Sequence, residues 1–193
     1  MQGHMIIGIT GTLGAGKGTV VEYLVEKKGF AHFSVRQYLT GIIKRRDLPL
    51  NRDSMVAVAN ELRAAHSPSH IVQQLYEQAA RRGGNVIIES IRTPGEVDAL
   101  KMKKEFLLLA VDAEVHTRYE RVCQRASETD NIDFETFVAN EQREMHNEDP
   151  AKQNIAACME MADIRLSNDD TKEQLYARIE DVLTKVKKHD GEY

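Results

Sequence analysis

Gly11, Gly14, Gly16 and Gly18 crowd into eight positions of the run GITGTLGAGKGTVVEYL (Gly8–Leu24), with one cation, Lys17, among them. Backbone N–H groups can surround a string of anionic oxygens only where side chains do not block the approach. Gly11, Gly16 and Lys17 have the spacing Gly-x-x-x-x-Gly-Lys of a phosphate-binding loop. That motif requires a buried strand before it and a helix after it. MIIGIT (Met5–Thr10) supplies a short apolar, β-branched run, and Val20, Val21, Leu24 and Val25 supply a helical stripe opposite Glu22, Glu26 and Lys27. The chemistry expected is polyphosphate binding, with the helix adding its positive N-terminal end and Lys17 reaching the β- and γ-phosphates.

The other candidates are arginines and one acid. Arg118, Arg121 and Arg125 recur at helical spacing, offset from Val115, Tyr119 and Val122. Arg143 stands in NEQREM, where it pairs with Glu141 or Glu144 or serves as a site arginine. Glu89 ends the apolar run VIIES, at the strand end where ligands bind in parallel sheets, and Arg92 follows three residues later. Phosphoryl transfer needs positioning and charge neutralisation more than a covalent protein group, so arginines gathered about such a loop are its expected companions. His32, His66, His70, His116 and His146 are scattered without metal-ligand spacing and read as surface or capping residues.

These residues must be held by a sheet. FAHFSV, NVIIES, EFLLLAVDA and ADIRLSN are four further strand-like runs. Between them lie helical patterns over Val35–Arg46, around Met55–Leu62, over Ile71–Ala79 ending at Gly83-Gly84, and over Pro94–Lys104. Others begin at Val115 and Phe134, cover Ile155–Met161, and include Leu175–Val186 before a frayed GEY tail. Strands alternating with helices predict a five-stranded parallel sheet wrapped on both faces, in one α/β/α domain.

The composition sets bounds. The chain has 193 residues, 41% hydrophobic and 29% charged, with a net charge of −4. That balance suits one domain and lacks the basic footprint of a nucleic-acid binder. No apolar run approaches the ~18 residues of a membrane span, and the start lacks the regions of a secretory signal. Met1–His4 reads as an expression scar with Met5 as the natural start. Cys123 and Cys158 fit neither a zinc site nor a redox pair and read as free buried thiols in the cytoplasm.

GTLGAGKGT resembles the loop of adenylate kinase and its nucleoside monophosphate kinase relatives, where Lys-Gly-Thr is normal. HFSVRQYLTGIIK (His32–Lys44), NVIIESIRTPGEVDALK (Asn85–Lys101), LLLAVDAEVHTRYERVCQR (Leu107–Arg125) and NDDTKEQL (Asn168–Leu175) are similar to later segments of the same kinases. VANELRAAHSPSHIVQQL, the region Phe134–Arg143 and ADIRLSND look more like dephospho-CoA kinase-like proteins and deoxynucleoside monophosphate kinases. The resemblance implies a P-loop NTPase fold with a core of 5–34, 85–125 and 163–188. It adds acceptor-side helices over about 35–83 and a short lid over about 126–150.

It also implies roles. Thr12, Gly14, Ala15, Gly16, Lys17, Gly18 and Thr19 would hold ATP, with Thr19 on the α-phosphate and Arg121 against the donor base. Lys17, Arg92, Arg125 and Arg143 would clamp the transferred group, Arg143 from the lid. Magnesium would be held through waters and phosphates. Glu89, where these kinases carry aspartate, would meet that ion through water or else hold the acceptor. The arginine that grips the acceptor phosphate aligns with Thr40, so Arg36, Lys44, Arg45 or Arg63 would replace it, Arg63 first. Ser34, Arg36, Arg63, Glu89 and Arg92 thus form the implied acceptor site.

A hydroxyl acceptor would call for a carboxylate near the second strand, and none follows His32 in sequence, which favours a phosphate acceptor. The implied activity is an ATP-dependent nucleoside or deoxynucleoside monophosphate kinase, cytoplasmic, monomeric or homodimeric, with a small-molecule partner. Alternatives are a dephospho-CoA kinase-like enzyme and a nucleotide-binding switch or NTPase. The latter is suggested by the missing acceptor arginine, by Glu89 and by the short lid.

Overall fold

The computed structural model describes residues 5–103, 105–125 and 132–189, so the expectations for Met1–His4, the GEY tail and the first part of the 126–150 segment lie outside it. β1 (Ile6–Gly11) is buried along its whole length, as its β-branched run requires. It pairs in parallel with β3 (Val86–Glu89) on one side and β4 (Phe106–Asp112) on the other. β2 (Ala31–Ser34) lies outside β3, and β5 (Ile164–Ser167) outside β4. The order is β2-β3-β1-β4-β5, with all pairings parallel.

Alternation along the strands divides the core in two. Ile7, Ile9, Ile87, Leu109 and Val111 face α1 (Lys17–Lys28) and α9 (Lys172–His189). Ile6, Val86, Ile88 and Leu108 face the opposite layer: α2 (Val35–Arg45), α3 (Arg52–Ala65), α4 (His70–Arg82), α5 (Pro94–Lys101) and α8 (Ile155–Glu160). α6 (Val115–Arg125) and α7 (Phe134–Met145) complete the order. The helices and strands fall where the periodicity predicts, with ends shifted by a few residues. α5 stops at Lys101, three residues short of the expected Lys104.

Two details aim the site. The chain leaves β1 at its C-terminal end into the glycine loop, and β3 ends beside it at Glu89. This is the crevice where the chain reverses direction across the sheet. Beyond Glu89, Ser90 adopts a left-handed φ of 71°, while Ser90 and Ile91 both donate to the Ile9 carbonyl. Thr10 Oγ1 donates to the Ile91 carbonyl at 2.8 Å, tying that turn to the central strand.

Candidate functional site

The glycine loop is shaped by left-handed backbone. Gly11, Gly14 and Gly16 have φ of 129°, 80° and 94°. A Cβ on Gly11 would lie 1.9 Å from the Val111 carbonyl oxygen, and one on Gly14 would lie 2.4 Å from that of Arg118. At Gly16 it would meet the Asn168 amide at 2.1 Å, whereas Gly18 faces open space. The loop is therefore glycine both for its conformation and for close approach of its neighbours.

Those neighbours brace it. Asn168 Nδ2 donates to the Ala15 carbonyl at 2.8 Å. Thr12 Oγ1 donates to Asp112 Oδ1 at 2.5 Å. Arg118, on the basic face of α6, is buried: Nε donates to the Ala113 carbonyl at 2.8 Å, Nη1 to the Leu13 carbonyl at 3.3 Å, and its fork engages Glu141. Asp112, Arg118 and Asn168 thus fix the curl from outside.

Lys17 folds back over the loop. Its Nζ donates to the Gly11 carbonyl at 2.9 Å and the Thr12 carbonyl at 2.6 Å. Burial brings its pKa from 10.5 down to about 7, with the nearby positive charges of Arg92 and Arg125 acting in the same direction and Glu89 and Glu144 opposing them. An anion entering the loop would reverse that balance.

Lys17 opens on a cavity of about 670 Å³. Gly14, Gly16, Gly18 and Thr19 line its loop end, and Arg121 and Arg125 reach it from α6, Arg121 while donating to the Asn168 carbonyl at 2.8 Å. Arg36, Arg63, Glu89 and Arg92 line the other end, against an aliphatic wall that includes Leu39, Leu50 and Met55. Loop, α6 arginines, Glu89 and Arg92 therefore share one space, although they are spread over more than 110 residues.

Glu89 sits on the cavity floor. Burial pushes its carboxyl up, but the adjacent His32 imidazole and the charge of Lys17 outweigh that and hold it below the usual range. His32 Nε2 lies 3.3 Å from Glu89 Oε2, because Ala31–Ser34 runs in register with Val86–Glu89. His32 is thus half-buried against Glu89, with neither the free surface position nor the capping role expected for it. An acid does stand beside the second strand, across the ladder instead of along the chain.

Arg63, on α3, is held in the interior and not on the solvent face of its helix. Its side chain is 1% exposed and donates through Nε and Nη2 to Glu96 Oε1 at 3.0 and 2.8 Å. Glu96 Oε2 accepts from the backbone N–H groups of Arg92 and Thr93, the second closing the capping box of α5. One buried carboxylate therefore orients Arg63 and the Arg92 turn together. Nη1 of Arg63 has no hydrogen-bond partner among the described residues.

Several expected site residues do not reach the cavity. Ser34 caps α2, accepting from the Gln37 N–H at 3.3 Å, since a serine at a strand-to-helix junction satisfies an orphan amide. Thr12 spends its hydroxyl on Asp112, and Ala15 is buried beneath the loop. Lys44 and Arg45 lie exposed in the last turn of α2. Arg143 points to the exposed side of α7 and bonds Asn140, in a smaller cleft of about 250 Å³. Its neighbour Glu144 lines both that cleft and the main cavity. Cys123 is exposed, not buried; Cys158 is buried, and burial pushes its thiol up to about 12.

Arg52, Glu96, Gln153 and Asn168 have no role in the sequence reading, and Glu144 enters it only as a pairing partner of Arg143. Glu96 was findable, as the fourth residue of Thr-Pro-Gly-Glu at a helix start. Arg52 and Glu144 meet across 92 positions and carry no local signal. Among the described residues no group of three or more His, Cys, Asp or Glu side chains could hold a metal. No described helix is long and apolar enough to cross a membrane.

Comparison with known proteins agrees with this architecture. A family model described as an AAA domain matches residues 7–149. A UPF0200 protein of Methanococcus maripaludis is 31% identical over 144 residues, 73% of this chain and 78% of that one. A UPF0200 protein of Thermococcus onnurineus is 26% identical over 94% of this chain and 98% of its own. Among solved structures, Thermus thermophilus TT1252 superposes with a TM-score of 0.64 at 20% identity, covering 95% of this chain and 98% of that one. Shikimate kinase from Bacteroides thetaiotaomicron does so with a TM-score of 0.59 at 14% identity, covering 93% and 98%. The fold is a P-loop NTPase-like α/β fold.

Proposed function

This chain belongs to the AAA-domain family and to the UPF0200 proteins, and from that premise we propose that it is an ATP-dependent phosphotransferase acting on a nucleoside or deoxynucleoside monophosphate. The observation that carries the reading is the convergence of Lys17 with Arg36, Arg63, Arg92, Arg121 and Arg125 on one cavity at the ends of β1 and β3. In this reading residues 35–83 form the acceptor side, residues 126–150 the lid, and the remainder the core of one domain.

The left-handed curl at Gly11, Gly14 and Gly16, with open space beside Gly18, supports a polyphosphate cradle. Loop amides would hold the phosphates, and Arg121 would flank the donor base. Magnesium, when bound to the triphosphate, would neutralise part of its charge, and Glu89 is the residue that would meet it, through water. Transfer forms a bond from an acceptor oxygen to the γ-phosphorus and breaks the bond to the bridging oxygen, whose electron pair leaves with ADP. Lys17 and Arg125 would take up the charge that develops, and Arg92 would orient the acceptor. A phosphate acceptor is already anionic at neutral pH and needs no base.

A second reading is favoured by Glu89 and His32. A carboxylate held ionised on the cavity floor could accept a hydroxyl proton, which would suit a dephospho-CoA kinase-like reaction. One panel separates the readings. The protein is incubated with ATP, magnesium and each nucleoside monophosphate, its deoxy form, or dephospho-CoA. Phosphorylation of a monophosphate, lost in Lys17→Ala, is the expected result. Product only with dephospho-CoA favours the second reading, and ATP hydrolysis without any phosphorylated product overturns both in favour of an NTPase or switch.

A further inference from the structure

Three elements close over the acceptor end of the cavity through one carboxylate. Glu144, on α7, is 8% exposed. Its Oε1 accepts from Arg52 Nη2 at 2.6 Å and its Oε2 from Arg92 Nη1 at 3.0 Å. Arg92 Nη1 also donates to Gln153 Oε1 at 2.9 Å. All four side chains line the main cavity. Two guanidinium groups from α3 and the turn after β3 are thus spread to receive an anion with two oxygens, and the chain's own carboxylate takes that position.

We propose that Arg52 and Arg92 form the anion subsite for the acceptor's phosphate, and that Glu144 is an internal stand-in which the phosphate displaces. This deepens the phosphotransferase reading and rests on it. Guanidinium N–H groups donate to carboxylate and phosphate oxygens alike, and each arginine here gives one N–H to a separate Glu144 oxygen, so one anion can replace the other. The charges favour the exchange: Arg52, Arg92 and Glu144 sum to one positive charge, and a phosphate dianion would be better matched without Glu144.

A third cation is at hand. Arg63 is buried, lines the same cavity, and has Nη1 without a hydrogen-bond partner among the described residues. Its donor capacity suits an incoming anion richer in acceptor oxygens than a carboxylate. Because Glu144 sits on α7, filling the subsite would free that helix from Arg52 and Arg92 and link acceptor entry to movement of α7. Glu144 would then select against weakly charged molecules, since only an anion that outcompetes a resident carboxylate could enter.

The test uses the full chain saturated with a non-hydrolysable ATP analogue, so that the glycine loop is occupied, and titrates inorganic phosphate by calorimetry. Glu144→Gln, which keeps the side-chain size and removes the charge, is expected to bind phosphate on the order of tenfold more tightly than the unaltered chain. Arg52→Gln in that background should remove the gain. Glu144→Asp, too short to span both arginines, should fall between, and it carries the test if Glu144→Gln does not fold. Equal or weaker phosphate binding in the Glu144 variants would overturn the stand-in role and leave Glu144 as a brace for the arginines. Analogue binding that is intact while phosphate is indifferent to position 144 defeats this inference alone. Failure of the chain to take up the analogue defeats the phosphotransferase reading beneath it.

Discussion

Replacing Lys17 with methionine should alter the pH dependence of folding in a direction set by its burial. In the ligand-free protein the ammonium is withdrawn from water and pressed by Arg92, which brings its pKa from 10.5 to about 7. At about 1.36 kcal/mol per pH unit this corresponds to roughly 5 kcal/mol against the charged form, an upper value because the loop can relax. The unfolded chain keeps the proton to about pH 10.5 and the folded chain releases it near pH 7. Between those values the unfolded state holds more protons, so the lysine's contribution to stability improves as pH rises. Below pH 7 the full penalty stands. Methionine carries no charge but leaves the Gly11 and Thr12 carbonyls without their partner, a cost of about 1–3 kcal/mol that does not vary with pH.

The pH trend is therefore cleaner than the sign at any one pH. Urea unfolding of both proteins at pH 6, 8 and 9.5, without nucleotide, should show the variant gaining most, relative to the parent, at pH 6. That relative advantage should shrink by about 2–5 kcal/mol towards pH 10. A difference that stays flat across this range, or grows with pH, would refute the reasoning.

Other outcomes follow from particular contacts. Glu96→Ala would strand Arg63 in the interior and free the Arg92 and Thr93 amides, and urea unfolding should register a loss of about 3–5 kcal/mol. Gly11→Ala would place a methyl 1.9 Å from the Val111 carbonyl at a φ of 129°, costing roughly 3 kcal/mol or more, while Gly18→Ala should change stability by less than about 0.5 kcal/mol. Asn168→Ala removes the bond that holds the Ala15 carbonyl, and calorimetry should find ATP binding weakened by about 5- to 30-fold with the fold intact by circular dichroism.

Legibility followed the distance over which each signal acts. The glycine loop was readable because conformation, lysine and flanking elements lie within one short segment. β1 and β3 were readable because strands covered on both faces are apolar throughout. Sheet order was not, since periodicity says which face is buried and not which strand lies alongside. The same limit hid the pairing of Glu89 with His32, two residues brought together only by the β2–β3 register. Arg143 and Glu144 show the sharper case. Successive helical residues point about 100° apart, so one step along NEQREM exchanges an exposed arginine for the buried acid that meets Arg52 and Arg92. Ser34 was misread because a serine at a strand end serves equally as a ligand or a helix cap, and the amide of Gln37 decides it.

The central claim is that the curl from Gly11 to Thr19 holds a nucleotide's phosphates with Lys17 above them. Titration calorimetry of the folded chain with ATP tests it most directly. The account predicts saturable binding of one ATP per chain, with proton uptake at pH 8 as Lys17 recharges, and loss of that binding in Lys17→Ala. Folded protein that takes up no ATP, or whose ATP binding is indifferent to Lys17, would contradict it.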